Sequence, residues 1–280
     1  MARHPYVVCD VFTDRPLAGN QLAVFTEAAR IPTELLQSIA RELNLSETVF
    51  AYSSEAGGDK RIRIFTPAAE LPFAGHPVLG AAFVLGEGGS AGVIRLETGL
   101  GVIPIALERE AGRISFGRMQ QPIPTWQPYE RADELLRALG VESSLLPVEA
   151  YRNGPLHAFV ALSSEAAVAA LKPDIGALAE LPELGANCFA GSGRSWKTRM
   201  FGPALGVSED PATGSAAGPL AVHLARHGRI QFGDEIEISQ GVELKRPSTL
   251  YARAEGTQTA IGKVEVGGRA VIVARGEFEF

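Results

Sequence analysis

Residues 63–85 read Arg63-Ile-Phe-Thr-Pro-Ala-Ala-Glu-Leu-Pro-Phe-Ala-Gly-His-Pro-Val-Leu-Gly-Ala-Ala-Phe-Val-Leu85. The stretch begins as the end of a strand, because residues 61–65 alternate Arg, Ile, Arg, Ile before Phe65. It ends as a helix of another kind. From His76 to Leu85 the side chains are apolar on every face, and a helix with no polar stripe must be buried on all sides. Ala74-Gly75-His76-Pro77 is the turn that opens it. A short helix of this composition needs other elements wrapped around it, and the strand-rich sequence on either side supplies them.

The same plan returns 136 residues later. Arg63-Ile-Phe-Thr-Pro-Ala68 recurs as Arg199-Met-Phe-Gly-Pro-Ala204, and the turn recurs as Thr213-Gly-Ser-Ala216 ahead of a largely apolar stretch, Ser215–Arg226. Recurrence in the same strand, turn and buried-helix context points to an internal duplication. The expectation is an α+β fold of two pseudo-symmetric lobes, each a mostly antiparallel sheet rolled around a central buried helix. The lobes are expected at residues 1–124 and 125–280, with the last strand crossing back to the N-terminal lobe. Other helices are predicted at Pro32–Leu43, Ala132–Leu139 and, broken at Pro173, Ala166–Leu181. Gln121-Pro-Ile-Pro-Thr-Trp126 reads as the bridge between halves.

Composition narrows the function classes. The 280 residues carry 26 basic and 32 acidic side chains, a net charge of −6 that disfavours nucleic-acid binding. Hydrophobic residues make up 46% and charged residues 21%, ordinary for a globular chain rather than a disordered one. No apolar run approaches the length needed to span a membrane, and no targeting segment is visible, so a soluble cytoplasmic protein is expected. Cys9 and Cys188 are too few for a disulfide scaffold.

The chemistry-bearing residues cluster at the two turns. A helix N-terminus presents free N–H groups and about half a positive charge, so turns at Gly75 and at Gly214–Ser215 make an anion site without a phosphate loop. A small-molecule carboxylate is the natural guest. Glu47, in Leu45-Ser-Glu-Thr-Val-Phe50, precedes an apolar strand; it is either a solvated helix-end carboxylate or a partly desolvated general acid/base. His76 is either a packed capping residue or a substrate contact and proton relay. Asp210, in Ser208-Glu-Asp-Pro211, is a turn residue or the second lobe's polar contribution, and Ser215 an N-cap or an anion anchor. His223 and His227 stand four apart near a helix end, a spacing read as structural, and no metal site is expected. No Gly-x-Ser-x-Gly elbow, Walker loop or complete dinucleotide fingerprint occurs. What remains suits cofactor-free proton transfer at a carbon beside an anchored carboxylate.

These stretches are similar to the PhzF family of phenazine-biosynthesis proteins. The resemblance runs from Asp10-Val-Phe-Thr13 and Gly19-Asn20 to the final strands, and is carried by Asn44–Phe50, Arg63–Gly80 and Glu209–Ala217. It is strengthened by Gln121–Trp126, Tyr151-Arg-Asn-Gly-Pro155, Asn187-Cys-Phe-Ala-Gly191 and Gly218–Gly228. The resemblance implies the diaminopimelate-epimerase fold, a homodimer, no cofactor, and isomerisation of trans-2,3-dihydro-3-hydroxyanthranilate. It implies that Glu47 shuttles the proton, that His76 and Asp210 assist, and that the amides of Gly75, Gly214 and Ser215 anchor the substrate. Diaminopimelate epimerases place a thiol in each lobe where this chain has Ala74 and Ala212, so a two-thiol racemase is not expected. Two alternatives stay open: an isomerase or epimerase of another small carboxylated metabolite, and a carboxylate-binding protein that performs no proton transfer.

Overall fold

A computed structural model describes residues 2–280. The chain first runs β1 (Arg3–Val11), β2 (Asn20–Phe25), α1 (Leu36–Leu43), β3 (Glu47–Tyr52), β4 (Lys60–Phe65), β5 (Glu70–Leu71), α2 (Gly75–Leu85), β6 (Val93–Thr98), β7 (Gly101–Glu110) and β8 (Arg113–Gln121). It continues as β9 (Thr125–Pro128), α3 (Ala132–Leu139), β10 (Glu149–Arg152), β11 (Leu156–Ala161), α4 (Glu165–Ala169), α5 (Ile175–Ala179), β12 (Leu184–Ser192) and β13 (Ser195–Gly202). The last elements are β14 (Val207–Asp210), α6 (Gly214–Arg226), β15 (Glu235–Gln240), β16 (Ser248–Gly256), β17 (Ile261–Gly268) and β18 (Ala270–Glu279). Two compact units result: the chain up to Gln120 together with Gly267–Phe280, and Gln121–Val266.

The duplication shows in the ladders. In the first unit β18 and β1 pair antiparallel, β1–β2 antiparallel, β2–β3 parallel, β3–β4 antiparallel, β4–β6 parallel and β6–β7 antiparallel. The second unit repeats that order of senses through β9–β10, β10–β11, β11–β12, β12–β13, β13–β15 and β15–β16. In each, a short extra strand (β5 or β14) pairs antiparallel with the strand that precedes the turn. The outer strand beside β1 comes from the end of the chain, whereas the one beside β10 is the preceding strand, separated from it by α3.

Each unit is organised on its apolar helix. Every residue of α2 from Gly75 to Val84 is buried, and the helix packs on β1, β2, β3, β6 and β18. Gly80 lets it approach that closely, since a Cβ there would lie 2.6 Å from Leu22 Cδ2 and 2.7 Å from Val11 Cγ2. In the second unit α6 is buried from Gly214 to Ala225 and packs on β15 and β16.

Several expectations are sharpened. The helix expected over Pro32–Leu43 opens with a 3-10 turn at Thr33–Leu35 and becomes α-helical at Leu36. Ala166–Leu181 is two five-residue helices, α4 and α5, each capped by its own side chain, Ser164 and Asp174. The Asp174 cap directly after Pro173 restarts the helix rather than kinking it. The bridge is extended from Thr125 onward because Trp126 pairs opposite Tyr151 on β10. No helix among the described residues is long and apolar enough to cross a membrane.

Candidate active site

In the first unit, Asn44 closes α1 in the left-handed conformation (φ 50°), its N–H bonded to the carbonyl of Ala40. That stop sends the chain into β3, whose first residue is Glu47, beside Leu22 in the parallel register with β2. His76 is the second residue of α2. The two side chains meet: His76 Nε2 lies 3.2 Å from Glu47 Oε2, with 4% and 13% of the side chains exposed. On the other edge of the ring, Asn20 Nδ2 is 3.2 Å from His76 Nδ1.

Burial pushes the His76 pKa down to about 3, against an opposing backbone hydrogen bond at Gln21. The ring is therefore neutral near pH 7. The contact with Glu47 is thus not an ion pair, and it lacks the alignment of a hydrogen bond: it is a close approach of two buried polar atoms, His76 Nε2 and Glu47 Oε2. Asn20 was not among the candidate residues. In the sequence it stands only within Gly19-Asn20, a pair that belongs to the resemblance and says nothing of a partner 56 residues away.

In the second unit, Asp210 ends β14 and is buried. Its carboxylate accepts a 2.6 Å hydrogen bond from the Thr213 hydroxyl. Gln240, at the end of β15, holds the same turn. Its Nε2 donates to the Asp210 carbonyl and to Thr213 Oγ1, and its Oε1 accepts from the Thr213 amide. Gly241 is obligatory beside it: with φ at +74°, a Cβ would meet the Pro211 carbonyl oxygen at 2.5 Å. Asp210, Gly214 and Ser215 thus occupy one tightly fixed turn.

Thr213, not Ser215, is the N-cap of α6, and its hydroxyl is engaged by Asp210 rather than by the first helical amides. The N-cap of α2 is Ala74, which has no side-chain acceptor to offer. The first-turn amides at Gly75 and at Gly214–Ser215 are left without side-chain caps, the condition in which such amides are available to an anion. Ser215 has a different partner. Its Oγ lies 2.9 Å from His157 Nε2, while Asn187 Nδ2 lies 3.2 Å from His157 Nδ1.

The remaining candidates are structural. His223 and His227 come together with Glu149, their ligand-type atoms within 4.8 Å of one another. The same Glu149 oxygen already accepts from Arg226 at 2.6 Å and from Tyr151 at 2.8 Å. Burial would raise the Glu149 pKa, but hydrogen bonds from His223, Arg226, His227 and Tyr151 hold it well below the usual carboxylate range. A cation could bind these three residues only by displacing the Arg226 guanidinium, which also stacks on Trp126. The charge of Glu149 is compensated within the protein. Both cysteines are free and buried.

The family model for phenazine biosynthesis-like proteins (PhzC-PhzF) matches residues 9–276. A trans-2,3-dihydro-3-hydroxyanthranilate isomerase from Pseudomonas aeruginosa is 55% identical over 273 residues, 98% of each chain. The protein of the same name from Pseudomonas fluorescens is 53% identical over the same shares. Among solved structures, a PhzF-family phenazine biosynthesis protein from Bacillus anthracis superposes with a TM-score of 0.88 at 23% identity over the whole of both chains. A hydroxyproline epimerase from Agrobacterium vitis gives 0.67 at 13% identity, covering 99% of this chain and 91% of its own. These two likenesses concern the fold, which is the α+β one expected from the repeat and the diaminopimelate-epimerase-like one that the resemblance implies. The chain belongs to the PhzC-PhzF family of phenazine biosynthesis-like proteins.

Proposed function

We propose that this protein is the isomerase that converts trans-2,3-dihydro-3-hydroxyanthranilate to an aminoketone in phenazine biosynthesis. The observation that carries the reading is the buried contact of Glu47 with a neutral His76, in a chain 55% identical to an isomerase of that name. Glu47, ionised, removes the allylic proton at C3 and returns it to C1 on the same face, and the enol formed then tautomerises to the ketone. His76, neutral and 3.2 Å from the carboxylate, assists as the polar group beside it. Asp210 serves the amino and hydroxyl substituents, and the uncapped amides of Gly75, Gly214 and Ser215 act as carboxylate anchors. The reaction needs no cofactor in this scheme, and the protein works as a homodimer.

Absorbance measured on purified protein with trans-2,3-dihydro-3-hydroxyanthranilate tests the activity directly. Loss of the diene chromophore supports the assignment, and an unchanged spectrum sinks it. The same reaction in deuterated water tests the single-base shuttle: partial retention of the migrating hydrogen at C1 is expected, and complete deuteration from the first turnover rejects it.

A further inference from the structure

The hydroxyl of Ser215 is tied into a relay that its position alone does not require. Asn187, on β12, donates from Nδ2 to the carbonyl of Gly185 at 2.9 Å. Turning the amide over would set its own oxygen against that carbonyl, so the orientation of Asn187 is fixed. The second Nδ2 proton then faces His157 Nδ1 at 3.2 Å, which makes Nδ1 the acceptor and leaves the ring proton on Nε2. Burial lowers the His157 pKa to about 3, so the ring stays neutral. Nε2–H therefore donates to Ser215 Oγ at 2.9 Å.

This order of donors has a consequence for the serine. Among the described residues His157 is the one hydrogen-bond partner of Ser215 Oγ, and it fills an acceptor position. The hydroxyl's own proton remains to be given away. The packing holds the relay in place: a Cβ on Gly185, directly opposite His157 in the parallel register, would lie 2.7 Å from His157 Nδ1. The first unit contains a related arrangement, without the second hydrogen bond: Asn20 Nδ2 approaches His76 Nδ1, and His76 Nε2 faces Glu47 at 3.2 Å.

We propose that His157, locked by Asn187, fixes the Ser215 hydroxyl as a donor to the substrate's carboxylate, which makes His157 a positioning residue of the reaction. The inference rests on the reading above that a carboxylate is anchored at the Gly214–Ser215 turn.

The test combines a spectroscopic measurement with binding. Nitrogen-15 NMR of the histidine rings should show His157 protonated on Nε2 and unchanged between pH 5 and 8; a proton on Nδ1, or titration in that range, overturns the proposal. Calorimetry with anthranilate as the carboxylate probe should show Ser215→Ala and His157→Leu each binding about tenfold more weakly, as for a lost hydrogen bond to a charged group. The double variant should bind no worse than Ser215→Ala alone, and His157→Gln, which can still donate near the Nε2 position, should recover most of the affinity. Losses that multiply in the double variant, no rescue by Gln, or a wild-type protein that does not bind anthranilate each reject the proposal. A wild-type protein that shows this binding pattern yet leaves dihydrohydroxyanthranilate unchanged would remove the proposed activity and keep the positioning role. Normal turnover with His157→Leu binding as wild type would do the reverse.

Discussion

His76 Nε2 stands 3.2 Å from Glu47 Oε2, and the histidine that makes this contact is neutral. A charged partner would hold the carboxylate in one protonation state and oppose its taking a proton. A neutral neighbour leaves the carboxylate able to accept and release one.

Replacing Glu47 by Gln should therefore remove turnover while preserving the fold, because the amide keeps the carboxylate's shape and faces a neutral ring. A positioned acid/base contributes about 10²–10⁴-fold, and the loss should fall in that range. Stopped-flow or steady-state absorbance on a variant with an unchanged circular-dichroism spectrum measures it. Retention of more than about a tenth of the wild-type rate would show that another group moves the proton.

Asn20 supplies the second prediction. Its amide is the side-chain partner of His76 Nδ1, so Asn20→Leu should free the ring to reorient beside Glu47. The expected result is a fall in kcat of about tenfold or more, the scale of one buried hydrogen bond, with KM changed much less. Asn20→Asp, able to accept but not donate, should do no better than Leu. Wild-type kcat in either variant would mean that the orientation of His76 is set elsewhere.

The cysteines give a third. Burial and the neighbouring Asp10 raise the Cys9 thiol well above its ordinary range, and burial raises Cys188 to about 12. Neither thiol is then a nucleophile or a proton carrier near neutral pH. Both should be inert to a disulfide reagent in the native protein and react only on unfolding. Cys9→Ala with Cys188→Ala should keep turnover within a few-fold of wild type. A loss of about a hundredfold, the least a positioned acid/base contributes, would return the two-thiol racemase mechanism to consideration.

The features legible in the sequence were those with local causes. The apolar run His76–Leu85 has no solvent-compatible face, and the turn before it recurs at Thr213, so two buried helices and their opening turns could be read directly. Glu47 was legible because it stands between a helix stop and a core strand. The short strands β5, β10 and β14, of two to four residues, are too brief to carry a period. They form because a neighbouring ladder is there to receive them. The partners of the site were illegible for a related reason. Asn20, His157, Asn187 and Gln240 act on residues 27 to 58 positions away, and strand pairing and helix packing, not local pattern, bring them together. His157 illustrates the limit: in sequence it is one histidine of five, and only its parallel pairing opposite Gly185 makes it a relay.

The buried histidines also set the acid limit of the fold. His76 and His157 fall from 6.5 to about 3 on folding, and His223 is lowered as well, in each case first through burial. Below pH 6.5 the unfolded chain takes up protons that these rings refuse in the native state. Stability must then rise with pH from about 3 to 6.5 and be lost as the pH falls through that window. The depressed carboxylates act in the same direction but lower, since Glu97, held by the Glu55 amide and its neighbours, moves from 4.5 to about 2 and Glu149 also falls. The interval from pH 6.5 to 5 therefore belongs to the histidines. Chemical denaturation across it should show the uptake of about two to three protons on unfolding, each worth about 1.4 kcal/mol per pH unit once the unfolded histidine is fully charged. His157→Gln should reduce that uptake by about one proton. A stability that stays flat between pH 6.5 and 5 would mean that these rings are solvated or protonated in the native protein, and the donor order assigned at His157 would be wrong.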